Sequence, residues 1–321
     1  MNHKPHLSVI IPLFNEADSL PELYKELREV LLPLGDTYEL IFVDDGSTDG
    51  SFDVLRTLHA QDARVVALRF RRNRGKASAL MAGFRQATGQ VLFTLDADLQ
   101  DDPSEIPRFL KKLEEGFDLV SGWKVRRMDP LIRRILSLIF NKVTSFLTGV
   151  RLHDFNCGFK CYRRPVVQEI RLHGELHRFI PALATWRGFR VGEIEVSHRP
   201  RKHGTSKYGI ERIPRGFFDL LTILMLTRYH LRPLHLFGAL GMLMGLVGSA
   251  SLAYLVVGWF FGRWIGNRPL LSLSILMMII GLQLIFFGLL AEIIVYSTRD
   301  GGTTPLVSVL RHGEPDKEAQ W

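Results

Sequence analysis

The sequence predicts an α/β domain with a parallel sheet, followed by a two-helix transmembrane hairpin. Three observations carry this. Through the first two thirds of the chain, apolar β-favouring runs alternate with helical patterns, which argues for a parallel sheet covered on both faces. One such run, Val91-Leu-Phe-Thr-Leu95, enters Asp96-Ala-Asp98 directly. Neither Pro233 to Gly262 nor Pro269 to Ala291 contains an Asp, Glu, Lys or Arg, and each exceeds the roughly 20 apolar residues that a membrane-spanning helix needs.

Leu7 to Leu13 reads as the first strand, followed by Asn15, Glu16 and Asp18 and a helical pattern from Leu20 to Leu32. Tyr38 to Val43 is the second strand and ends in Asp44-Asp-Gly-Ser47. Arg64 to Phe70 is the third; Arg71-Arg-Asn-Arg-Gly-Lys76 and a helix from Ala77 to Ala87 follow. Val91 to Leu95 is the fourth and Phe117 to Ser121 the fifth. Each strand ends in polar or glycine-bearing residues, as a crevice outside the carboxyl ends of an open sheet requires. Asp96 and Asp98, one residue apart, point to the same side of an extended chain, and Gln100 joins them if the chain stays extended. Such hard oxygen ligands suit Mg²⁺ or Mn²⁺ carrying phosphates; a solvated Asp-rich turn is the plain alternative.

From Leu131 to Thr148, polar residues recur every three or four positions in an apolar background. This amphipathic helix either packs on the sheet or lies in a membrane interface. Asp154-Phe-Asn-Cys-Gly-Phe-Lys-Cys reads as a loop entering a short strand, Glu175 to Trp186 as a helix and Arg190 to Ser197 as a strand. His198-Arg-Pro-Arg-Lys-His-Gly-Thr-Ser-Lys-Tyr208 is a basic loop beside a membrane segment, where phosphate or lipid headgroups are candidate ligands. Phe217 to Leu226 is apolar enough to dip into the interface. The short linker Arg263 to Arg268 makes the two apolar runs a hairpin, with Trp259, Trp264 and Tyr296 near its ends. Both termini are then on one side. Arg212, Arg215, Arg228 and Arg232 before the hairpin, with Arg299 and Arg311 after it, favour the cytoplasm. The expected division is 1–210 catalytic, 211–232 interfacial, 233–298 transmembrane and 299–321 a polar mobile tail.

Lys and Arg total 41 against 33 Asp and Glu, a net charge of +8, so an anionic partner is expected. Nucleic acid, anionic lipid and phosphorylated substrate all qualify on charge alone. Cys157 and Cys161 are the two cysteines; they imply no disulfide framework and read as core thiols. Met1 to His6 is polar with only a short apolar run behind it, so no signal peptide is expected. His173 and His177 are four apart, without a Glu in the zincin place. Glu292, near the end of the second apolar run, reads as interfacial.

Ile11-Pro-Leu-Phe-Asn-Glu16, Asp44-Asp-Gly-Ser47, Arg74-Gly-Lys76, Asp96-Ala-Asp98 and Gln100 together resemble a family 2 glycosyltransferase of the GT-A fold, a Rossmann-like nucleotide-sugar domain. Asp154-Phe-Asn-Cys-Gly-Phe, the His198–Tyr208 loop and the hairpin narrow the resemblance to the polyprenyl-phosphate glycosyltransferases. These include dolichol-phosphate mannose synthase and bacterial polyprenyl-phosphate glucosyltransferases. The resemblance extends to about Thr298. It implies that Pro12, Asn15, Glu16 and Asp44 line the base and ribose pocket of a UDP- or GDP-sugar. Lys76 would lie near the donor, Asp96 and Ala97 against the nucleotide, and Asp98 and Gln100 with Asp96 around Mg²⁺ or Mn²⁺. Arg201 and Lys207 would bind phosphates in a closing loop, with Ser206 nearby. Lys124, Arg126 and Arg127 are the candidates for the lipid phosphate. Asp154 would position the acceptor or act as base; a loop cap is its plainer role. With Asp98, Arg201 and Lys207 it forms the expected catalytic set.

The same resemblance implies an inverting transfer to undecaprenyl or dolichyl phosphate at a bacterial inner membrane, with the catalytic domain and both termini cytoplasmic. It also implies a homo-oligomer such as a tetramer, and no nucleic acid partner. Processive relatives carry Gln-x-x-Arg-Trp; here Arg263-Trp264 is preceded by Phe260 in the Gln place, which argues for a single transfer. A phosphate monoester, with a second pKa of about 6, is already a dianionic nucleophile at neutral pH. The chemistry therefore asks for charge neutralisation more than for a base. The competing readings are an inactive membrane adaptor or flippase partner, and an anchored transferase acting on a glycan.

Overall fold

The computed structural model describes residues 7–35, 37–125, 131–172, 174–199, 212–227, 229, 232–266, 268–298, 308–309 and 317–318. The chain forms two compact units, Met1–Thr227 and Arg228–Trp321.

The first unit is built on a sheet of seven strands: β1 (Leu7–Leu13), β2 (Tyr38–Asp44), β3 (Val65–Arg69), β4 (Val91–Thr94), β5 (Leu119–Lys124), β6 (Lys160–Arg163) and β7 (Val191–Val196). Their order is β3-β2-β1-β4-β6-β5-β7. The helices are α1 (Leu20–Leu31), α2 (Ser51–Gln61), α3 (Lys76–Gln86), α4 (Ile106–Glu114), α5 (Leu131–Thr148), α6 (Arg164–Glu169), α7 (Ile180–Trp186) and α8 (Arg212–Thr227). Alternate residues of β1 feed opposite layers, as the two-residue period of a strand demands. Val9, Ile11 and Leu13 meet Leu20, Leu23, Leu27 and Leu31 of α1 and Phe109 of α4. Ile10 belongs with Leu80 and Phe84 of α3, Ile180 of α7, and Leu220 and Ile223 of α8. The helix after the basic loop, expected as a separate interfacial segment, thus contributes to this core.

Three expectations need correction. The sheet is mixed, because β6 runs antiparallel to both β4 and β5. The chain leaves β5 at the crevice edge and returns to that edge after α5, so the next strand must run back. Secondly, Glu175 to Trp186 is not one helix: a 3₁₀ turn over Leu176–Phe179 precedes α7. Pro181 is the cause, since its ring would clash with the carbonyl four residues back in a continuous helix. Thirdly, the chain does not stay extended past Asp98. Leu99 adopts φ 63° and turns it.

The second unit contains α9 (Pro233–Phe260) and α10 (Pro269–Thr298), both long and apolar enough to cross a membrane. They run antiparallel in close contact: a Cβ on Gly281 would lie 2.6 Å from the Gly241 carbonyl oxygen, and one on Gly248 would lie 2.8 Å from that of Ser274. Backbones this near require glycine, as in other tightly packed membrane helices. Glu292 Oε2 accepts the Leu234 N–H at 3.2 Å, giving the start of α9 a carboxylate where its dipole favours one. In the tail, Ser308–Val309 pairs antiparallel with Lys317–Glu318.

Candidate active site

The sheet reverses its winding at β1. The chain proceeds from β1 to β2 and β3 on one side, then crosses to β4 on the other, which creates the switch-point crevice where open α/β sheets bind ligands. The β1–β4 ladder ends at Ile10 and Thr94, whereas β1 stays paired with β2 as far as Leu13 and Asp44. Pro12, which has no N–H to donate, lies two residues beyond the last β4 pair. The two central strands part there.

The β1 and β2 tips are tied together by hydrogen bonds. Asn15, at φ 55°, a conformation that Asn tolerates better than most residues, donates its N–H to Ser47 Oγ at 2.9 Å. Its Oδ1 accepts the Thr48 N–H at 2.8 Å. The Glu16 N–H reaches Ser51 Oγ at 3.0 Å. Asp44 is at the expected strand tip, but its side chain is 0% exposed. It accepts the Ser47 N–H at 2.8 Å and faces Arg69 at 3.4 Å. In this geometry it orders the loop at the strand tip. Asp45, which the sequence reading passed over, accepts the Arg74 and Gly75 N–H groups at 2.7 and 2.8 Å. Burial pushes its carboxyl up despite those bonds. It fixes the turn into α3, which opens with Lys76.

Lys76 and Asp96 form a close ion pair. Burial opposes the charge on Asp96, but Lys76 and then Lys124 outweigh it and hold the carboxyl at about 2. The Ala97 methyl packs into the core, so only its backbone is available to a ligand. Asp98 and Gln100 face each other across the turn that Leu99 makes: the Gln100 N–H donates to Asp98 Oδ1 at 3.2 Å. His198, just past β7, approaches the same turn, its Nε2 3.4 Å from Gln100 Nε2. The Arg199 N–H donates to the Gln100 carbonyl at 2.9 Å, and its guanidinium holds Glu26 at 2.7 Å and Asp102 at 2.9 Å. The root of the basic loop is therefore pinned to the Asp98 turn.

Two further residues frame the floor. Lys124 is 14% exposed and bonds Asp101 at 2.8 Å. Burial opposes its charge, but Asp101 prevails and its pKa is raised. A lipid phosphate would have to compete with Asp101 for it. Asp154 is buried; its Oδ1 accepts the Asn156 N–H at 3.0 Å and its own N–H binds Glu193 at 3.0 Å. Arg126, Arg127, Arg201, Ser206 and Lys207 lie outside the described residues.

The sequence reading missed Gly158 and Lys160. A Cβ on Gly158 would lie 2.7 Å from Asp96 Oδ2, so the loop presses directly on that carboxylate. The Gly158 carbonyl accepts Thr94 Oγ1 at 2.8 Å. The Lys160 ammonium, 3% exposed, turns back onto the Cys157 and Phe155 carbonyls. Burial lowers its pKa, with the nearby charge of Lys76 adding to that. Cys157 is enclosed, and burial pushes its thiol up to about 12. The motif Asp154-Phe-Asn-Cys-Gly was visible, but not which carboxylate it would rest on.

The fold and crevice define an α/β enzyme domain with an acidic turn and a cationic floor at the sheet's switch point. The chain belongs to glycosyl transferase family 2, whose profile matches residues 8–171. It is 39% identical over 296 residues to the dodecaprenyl-phosphate galacturonate synthase of Rhizobium johnstonii, covering 90% of this chain and 87% of that protein. It is also 39% identical over 289 residues to the undecaprenyl-phosphate 4-deoxy-4-formamido-L-arabinose transferase of Pseudomonas aeruginosa, covering 89% and 84%. Among solved structures it resembles glucosyl-3-phosphoglycerate synthase from Mycobacterium tuberculosis in complex with Mn²⁺ and uridine-diphosphate-glucose. The TM-score is 0.54 at 20% identity, over 70% of this chain and 79% of that one, which speaks for the shared fold alone.

Proposed function

We propose that the protein is a membrane-bound inverting glycosyltransferase that moves one sugar from a UDP- or GDP-sugar to a polyprenyl phosphate. The observation that carries this is the join at the Asp98 turn. Asp98, at the strand tip of a switch-point crevice, is hydrogen-bonded through Gln100 to Arg199, at the root of a basic loop that precedes α8. Donor and acceptor phosphates would meet between these two. The two relatives named above, both polyprenyl-phosphate sugar transferases by name, support the same acceptor class.

A divalent cation, Mg²⁺ or Mn²⁺, fits the residues present. Asp98 and Gln100 offer hard oxygen donors on one turn. Among the described residues no three His, Cys, Asp or Glu side chains group as metal ligands, so these two residues would hold the ion together with the substrate's own phosphates. When bound, the ion supplies Lewis acidity to the departing diphosphate. Asp98 and Gln100 would hold it. Lys76 keeps Asp96 ionised and aimed at the nucleotide. Lys160 holds the Asp154–Gly158 loop against Asp96. Arg201 and Lys207 would offset the repulsion between the two anionic substrates.

Asp98→Asn tests this. A neutral amide cannot offset the cation's charge, so the variant should lose Mn²⁺-dependent nucleotide-sugar binding and transfer to undecaprenyl phosphate, with a rate loss on the order of a hundredfold or more. Full activity in the variant, or in wild type with EDTA, would overturn the assignment. We further read the location as the bacterial inner membrane with both termini cytoplasmic, where nucleotide-sugars are available, and the assembly as a homo-oligomer.

A further inference from the structure

One half-buried imidazole takes part in none of the contacts above. His177 lies on the 3₁₀ turn Leu176–Phe179, which packs on α3, the helix that Lys76 opens. Its Nδ1 is buried and has no hydrogen-bond partner among the described residues. Buried polar atoms in native proteins are nearly always paired, and an exception at a site calls for an explanation. His173, which the sequence places four residues earlier, lies outside the described residues.

Charged residues of the crevice floor act on His177. Burial pushes its pKa well down, and the charges of Lys76, Arg178 and Lys160 push the same way, against the opposing pull of Asp96. The ring is neutral at pH 7, with one nitrogen a donor and the other an acceptor. A neutral imidazole contributes little to a diphosphate, for which Lys76 and the basic loop are better suited. It matches a hydroxyl, which can donate or accept. The sugar is the part of a nucleotide-sugar that carries such groups close to the diphosphate.

We propose that His177, through Nδ1, hydrogen-bonds a hydroxyl of the transferred sugar and so helps to select which nucleotide-sugar is used. This rests on the crevice being a nucleotide-sugar site. A site built to hydrogen-bond a hydroxyl discriminates strongly against a substrate that lacks or misplaces it, because its own polar atom is then left unpaired.

The test uses the full-length protein in detergent with Mn²⁺. Affinities are measured for UDP and GDP, then for UDP-glucose, UDP-galactose, UDP-glucuronate and GDP-mannose. Wild type is compared with His177→Ala, His177→Asn and His177→Phe; Asn restores a polar group near the Nδ1 position, and Phe keeps the ring's shape without its nitrogens. Expected are unchanged affinity for the bare nucleoside diphosphate in all variants, and a loss of about tenfold or more for the preferred nucleotide-sugar in Ala and Phe. The preference should narrow in both and be partly rescued in Asn. If Ala does not fold, Phe carries the measurement. Unchanged sugar preference in Phe, or an equal loss for bare nucleotide and every sugar, overturns the role of His177 alone. Failure of wild type to bind either nucleotide overturns the site reading itself, and this inference with it.

Discussion

Gly158 shows how closely the site is fitted. Only a residue without a Cβ leaves room for the Asp96 carboxylate, so Gly158→Ala should push Asp96 off Lys76. Donor affinity is expected to fall about tenfold or more, while the melting temperature moves by about 2–4 °C. Titration calorimetry and a thermal melt on the same preparation separate the two. The Lys76–Asp96 pair also sets a pH dependence. The folded carboxyl is held at about 2, below the unfolded value of about 3.9. The stabilisation is therefore present above the unfolded pKa and is lost as pH falls through the folded one. Donor affinity measured without acceptor should be level from about pH 5 upward, whereas turnover should fall near pH 6 as the acceptor phosphate gains its proton. The Asp96 carboxyl itself, followed by ¹³C NMR without metal or donor, should titrate at about 2; a midpoint near the unfolded value of about 3.9 would mean that Lys76 does not hold it. Asp96 and Asp98 were legible in the sequence because a strand running into two carboxylates is a local pattern. Gly158, Lys160 and His198 were not. Gly158 and His198 meet residues distant in sequence, and although Lys160 bonds nearby carbonyls, nothing local says that its loop closes on Asp96.

Elements were legible where their hydrophobic pattern was long. The first four strands match their expected positions to within a residue, and α1, α3 and α5 follow their apolar periodicity. The direction of β6 was not legible. Lys-Cys-Tyr-Arg is four residues of mixed character, and its orientation is decided by the path of the chain through α5. The 3₁₀ break before α7 had a signal in Pro181 that the helical pattern around it masked. The hairpin helices were legible as spans, but their mutual register was not, because all-apolar helices have no polar face to orient them. That register depends on Gly241, Gly248 and Gly281. Gly281→Ile should force α9 and α10 apart at a cost of about 1–3 kcal/mol, read as a lower thermal aggregation temperature in detergent. Gly245→Ala is the control, since a Cβ there meets nothing within 4 Å. Equal effects from the two would refute the close-packing account.

For the whole molecule, the hairpin makes a topological prediction. Cysteine introduced at Gly266 should be labelled from the face opposite to one introduced in the tail at Gln320; labelling of both from the same face would rule out two spans. Composition made this much legible, since a net charge of +8 alongside two charge-free runs already describes a basic domain tethered to a bilayer. The antiparallel return of β6 has a consequence of another kind. β5 ends at the rim of the crevice with Lys124, and Asp154 lies in the loop that enters β6, so α5 is inserted in the chain between the two residues that frame the floor. Leu138 and Phe146 of α5 are 53% and 85% exposed, so this helix presents greasy side chains outward. A surface that grips α5 would therefore take hold of the one stretch of chain that separates Lys124 from Asp154.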